Sequence, residues 1–68
     1  MTDINELIDE AYEALSNAEA NDYPQWDKDV DDIVTDLMDF HSEFETLMVD
    51  DVKRAVVGAL DRYDRYNG

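Results

Sequence analysis

Asp27 to Glu45 reads DKDVDDIVTDLMDFHSEFE, and the arrangement of the remaining residues follows from how this run is read. At about 3.6 residues per turn it resolves into two faces of one helix. Trp26, Val30, Ile33, Val34, Leu37, Phe40, Phe44, Leu47 and Met48 fall on a broad apolar arc. Asp29, Asp32, Asp36, Asp39 and Glu43 fall on a narrow stripe away from the centre of that arc, alternately three and four residues apart. At about 1.5 Å per residue the stripe spans roughly 21 Å, about one negative charge every 5 Å. No lysine or arginine interrupts it, and like charges one turn apart cost a few tenths of a kcal/mol each. An arc this wide predicts a helix that packs against two neighbours and stands at the centre of a bundle.

The residues on either side supply those neighbours. Asp3 is a good N-cap for a first helix over about Asp3–Ala20, and Glu6 completes a capping-box-like pair. Ile4, Leu7, Ile8, Ala11, Ala14, Leu15 and Ala18 recur at helical spacing. Glu6, Asp9, Glu10 and Glu13 take the opposite side, a face expected to have no lysine or arginine partner. Asn21-Asp22-Tyr23-Pro24 is a short turn, and proline suits the first position of a second helix. That helix is expected to run from Pro24 to a break near Val49-Asp50. Ser42 with Glu45 spells a second capping box, so the break falls near His41 if that signal acts instead. A third helix covers about Asp50–Tyr66, with Val52, Ala55, Val56, Ala59, Leu60 and Tyr63 facing inward and Asp50–Arg54 and Asp61–Arg65 pairing along its own surface. Val57 falls off the core face and Tyr66 lies near its edge, each either exposed or a dimer contact. The expected fold is therefore all-α, a three-helix antiparallel bundle forming one domain over residues 1–68, with a fourth short helix if the chain breaks near Ser42.

A 68-residue core without cysteines has no disulfide or thiolate metal site to staple it. No apolar run approaches the roughly 20 residues of a membrane span. The acidic start does not read as a signal peptide, so a cytoplasmic protein is expected. The net charge is −14. Residues 1–45 hold fifteen acids and one lysine, Lys28, whereas residues 46–68 hold four acids and four bases. The first two thirds therefore carry the whole imbalance. Such a field attracts cationic surfaces and repels nucleic acid and anionic membrane.

The sites that would carry chemistry fail on inspection. Asp27-Lys28-Asp29-Val30-Asp31 opens like a calcium loop, but Asp32 stands where the turn needs glycine and Met38 where it needs a bidentate glutamate. His41 is the only histidine and lies at the margin of the apolar arc, with no credible nucleophile to serve. No glycine-rich phosphate loop exists; the glycines are Gly58 and Gly68. Acyl carrier proteins are also small, acidic and helical, but their carrier serine sits in an Asp-Ser-Leu motif, and Ser42 is flanked by His41 and Glu43. No catalytic residue, cofactor or metal ligand is assigned, and an enzyme is not expected.

The stripe Asp29, Asp32, Asp36, Asp39 and Glu43, joined by Glu6, Asp9, Glu10 and Glu13, is left as the partner-binding surface. Duplex DNA carries one charge per about 1.7 Å of axis, and two neighbouring stripes approach that density more closely than one. In size, charge and helical pattern the chain resembles the small acidic phage-encoded inhibitors of the anti-CRISPR and anti-restriction type that imitate DNA. The resemblance implies an inhibitor in the host cytoplasm that occupies the DNA- or PAM-binding surface of a bacterial defence complex. The implied partner is a basic nucleic-acid-binding protein or complex, with no direct contact to nucleic acid or membrane, bound by a monomer or a homodimer. Two alternatives use the same carboxylates. One is an acidic interaction module of the immunity or antitoxin kind for another basic protein, with Tyr23 and Trp26 as aromatic anchors. The other is a halophile's surface, with thirteen Asp against two Lys; the charge-balanced third helix argues against it.

Overall fold

The computed structural model describes residues 3–67, the side chains of Glu43 and Asn67 lying outside the described set. Four helices follow in chain order: α1, Ile4–Ala20; α2, Val30–Phe40; α3, Ser42–Glu45; and α4, Val49–Asn67. The three long ones form the all-α antiparallel bundle, and α3 is the short fourth helix that turns the corner between α2 and α4. The central helix is α4, which packs against both α1 and α2, while α1 and α2 touch each other far less. That corrects the expectation that the Asp-rich helix stands at the centre. Its wide arc reflects instead a helix that is shorter than its periodicity suggests.

Asp3 caps α1 as expected, its carboxylate accepting the Asn5 backbone N–H at 3.1 Å. Leu7, Ala11, Ala14 and Leu15 bury the inner stripe. The helix ends in a paired reversal. The Tyr23 N–H donates to the Ala18 carbonyl at 2.9 Å and the Asp22 N–H to the Glu19 carbonyl at 3.1 Å. Asp22 between them takes φ 64°, the left-handed position usually given to glycine.

Pro24 does not open α2. Residues 21–29 form an irregular connection, in which the Lys28 N–H closes a turn on the Gln25 carbonyl at 3.1 Å. Asp29 takes the extended N-cap conformation, φ −64° and ψ 151°, without a side-chain cap hydrogen bond. Asp31 and Asp32 then fall in the first turn, where the helix dipole favours negative charge. Trp26, expected on the arc of this helix, lies before it. Its ring stacks on Tyr63 of α4 at 4.1 Å between centroids and tilts against Tyr12 of α1 at 5.5 Å. Its Nε1–H donates to Glu19 at 2.9 Å. The connection is thus fastened to both flanking helices.

His41, extended at φ −120° and ψ 107°, ends α2. The break is at the Ser42 capping-box position, but the cap is His41 and makes no side-chain cap hydrogen bond. Val49-Asp50 is a boundary as well: α4 begins at Val49, the Val52 N–H donating to the Met48 carbonyl at 3.1 Å, with Asp50 and Asp51 in its first turn. Breaking the helix at His41 turns Phe40 outward, 74% exposed, and brings Phe44 into full burial. Phe40 and Met48, both expected inside, are exposed. Val52, Ala55, Val56 and Ala59 of α4 are fully buried, and Val57 and Tyr66 are exposed.

Candidate partner-binding face

Four of the five basic side chains make ion pairs, and the geometry of those pairs sorts the acids into two sets. Lys53 of α4 reaches Asp31 of α2 at 3.7 Å, and Arg62 of α4 reaches Asp9 of α1 while lying over the Tyr12 ring. Among the described residues only Arg65, 3.7 Å from Asp61, pairs within its own helix. Among the described residues Arg54 pairs with no acid, so the expected Asp50–Arg54 bond is not formed. The charge balance of α4 is therefore not a local affair. Two of its cations are spent on the seams it shares with α1 and α2, which corrects the expectation that the acids of the first helix have no basic partner.

The acids facing away from α4 are different. Asp31 marks the flank of α2 that borders α4. The opposite flank carries Asp32, Asp36 and Asp39, and there Asp36 and Phe40 face Ala14, Leu15 and Ala18 of α1. On α1 the same division holds: Asp9 faces Arg62, while Glu10 and Glu13 border a second hollow with Asn17 and His41. The structure thus brings Glu10, Glu13 and Asp36 to the two sides of one seam, with Asp32 and Asp39 exposed farther round α2. Glu6 is exposed one turn before Glu10, and Asp29 is exposed at the N-cap of α2. Glu6, Glu10, Glu13, Asp29, Asp32 and Asp39 make no ion pair among the described residues. Asp9 is set apart on the α4 side. Glu43 belongs to α3 rather than to the stripe, and its side chain lies outside the described residues. The continuous α2 stripe shrinks to Asp32, Asp36 and Asp39, about 10 Å long.

Because α1 and α2 are not closed tightly on each other, a mostly apolar cavity of about 150 Å³ lies between them. Ile33 and Leu37 line it from α2, and Tyr23 and Gln25 from the connection. Gln25 is only 5% exposed, and its Oε1 is buried without a hydrogen-bond partner among the described residues. A buried acceptor left unmatched costs about 1–3 kcal/mol, so it stands out in a bundle this small. At the rim the Lys28 ammonium lies 3.3 Å from the Asp36 carboxylate and 4.9 Å from the centroid of the Tyr23 ring. Burial alone would lower the Lys28 ammonium, but the Asp36 hydrogen bond and the charges of Tyr23 and Asp36 outweigh it and hold it above its ordinary value. Across the molecule, burial pushes the Tyr63 phenol up, and the negative charges of Glu19 and Asp27 add to this.

Gln25 and Lys28 were not singled out by sequence reasoning. Gln25 follows a proline in an apparent helix start and gives no signal of burial. Lys28 did carry one: it is the sole base among the first 45 residues. Among the described residues no three His, Asp or Glu side chains form a group that could hold a metal ion, and no helix is long and apolar enough to cross a membrane. No protein-family model matches the chain, nor does any curated protein or solved structure.

Proposed function

We propose that the chain is an acidic DNA mimic, whose α1/α2 face occupies the positively charged DNA-binding surface of another protein. One observation carries this reading. The bases of α4 neutralise the acids on its own seams, Asp9 and Asp31, and leave Glu6, Glu10, Glu13, Asp32 and Asp39 exposed and unpaired on the far side. Retaining unpaired like charges on a small bundle costs stability, and a cationic partner is what recovers it. Rows of carboxylates on two helices offer a phosphate-gripping surface the fixed charges it was built to hold. The target class, from the resemblance in size, charge and helical pattern, is the DNA- or PAM-binding cleft of a bacterial defence complex.

The test is capture followed by competition. Immobilised protein should retain a nucleic-acid-binding complex from bacterial lysate, and added duplex DNA should release it, with the steep salt dependence of phosphate contacts. Retention that DNA does not disturb would overturn mimicry. It would favour the acidic interaction module, for which the exposure of Tyr23 and Phe40 beside these acids already speaks. A chain that unfolds at about 0.15 M salt would instead have a halophile's surface.

A further inference from the structure

We propose that the α1/α2 cavity is a receptor for one arginine side chain projecting from the basic partner. The inference deepens the reading above by naming the side chain that face would grip.

Three features of the cavity point to the same ligand chemistry. Its walls, Leu15, Ile33, Leu37 and Phe40, suit a methylene stem rather than a compact ion. Gln25, one of its lining residues, holds a buried acceptor without a partner among the described residues, Oε1, which a turn of the amide toward the cavity would match with a donor. Its rim already holds a cation: Lys28 sits on Asp36 and against the Tyr23 ring, and both of those residues line the cavity. The chain's own side chain thus shows that positive charge is favourable there. Lys28 satisfies the rim but leaves Gln25 unmatched.

Arginine meets these conditions better than lysine. A guanidinium has five N–H donors in a plane, enough to serve the Asp36 carboxylate at the rim and, once the Gln25 amide turns toward the cavity, its Oε1 as well. It is more weakly hydrated than an ammonium and stacks on aromatic faces, here Tyr23 and Phe40, both exposed at the mouth. The surrounding Glu10, Glu13, Asp32 and Asp39 raise the local concentration of such a cation without touching it.

The test needs no partner protein, so its failure leaves the competition experiment standing, and the reverse also holds. N-acetyl-arginine amide is titrated into the protein and followed by heteronuclear NMR, with N-acetyl-citrulline amide, neutral and nearly isosteric, as the control. Saturable shifts are expected at Gln25, Ile33, Asp36 and Leu37, with citrulline at least tenfold weaker. Gln25→Leu should weaken arginine binding about tenfold, the worth of one hydrogen bond to a charged group, while raising the melting temperature. Lys28→Met should strengthen binding severalfold by freeing Asp36 and Tyr23. It lies on the surface and keeps the test open if Gln25→Leu disturbs the connection. Equal binding of citrulline would make the cavity an apolar pocket only. Arginine shifts confined to Glu6, Asp32 and Asp39, or a Lys28→Met variant that binds no better, would equally overturn the proposal.

Discussion

The seam between α1 and α4 and the seam between α1 and α2 are built from the same helix with opposite results. Against α4, α1 closes on small side chains. Ala11, Ala55 and Ala59 are fully buried, and Gly58 lies so near Ile8 that a Cβ there would come within 2.6 Å of its Cδ1. Arg62 and Asp9 pair at the edge of that contact. Against α2, α1 leaves a cavity, an unmatched Gln25 acceptor and facing acids with one lysine among them. A bundle this small has little stability to give away. The α1/α4 seam has a hollow of its own beside Ile8 and Gly58, but the unmatched buried acceptor falls on the α1/α2 side, as the proposed role of that face would explain.

The largest expected effect separates the two seams by volume. Ala55→Leu should cost about 1–3 kcal/mol by overpacking the α4 contact. Ala18→Leu makes the same change beside the cavity and should cost nothing or stabilise slightly, since both residues favour helix. Urea unfolding of the pair decides the matter; equal costs would mean that the α1/α2 space cannot be filled and is not a cavity in solution.

Next comes the unmatched acceptor. Gln25→Leu replaces it by a side chain of similar size and should raise unfolding stability by about 1 kcal/mol or more. A loss of that size would show that Gln25 is already satisfied when the chain is folded.

A smaller effect is expected at high pH. Lys28 and Tyr63 both hold their protons more firmly in the folded chain than in the unfolded one. For a group raised on folding, the contribution is complete below the unfolded value and is lost as pH rises through the folded one. Stability should therefore fall above about pH 10. Asp36→Asn should lessen the fall, because it removes the partner that raises Lys28; a thermal melt series from pH 8 to about pH 11 measures both.

How much of this was legible in the sequence depends on which signals agreed. In α1 the cap, the period and the apolar residues coincide, and Asp3 to Ala20 reads correctly. At Asp27 and Asp29 they conflict. The apolar phase continues back to Trp26, but Trp26 is held between Tyr63 and Tyr12 outside the helix, and α2 begins later, at Val30. Around His41 the phase is again continuous from Phe40 to Phe44, so periodicity alone could not show that the helix breaks, turning one ring out and the other in. The acidic face was legible as a count of charges. Its division was not, because reaching Asp9 and Asp31 from α4 is a property of the fold. Gln25 was invisible for the same reason: burial of a polar loop residue has no pattern.

The most direct test uses two consecutive residues of α1. Asp9 faces Arg62, and Glu10 faces the α2 seam beside Glu13. Asp9→Asn and Glu10→Gln remove the same charge from the same helix turn, and their melting temperatures are compared at low salt. A surface pair of this kind is worth up to about 1 kcal/mol, or roughly 4–8 °C in a domain of this size. The expected result is a lower melting temperature for Asp9→Asn and a higher one for Glu10→Gln, the gap narrowing as salt is added. Two shifts of the same sign and size would contradict the division of charge, and with it the case for a functional α1/α2 face.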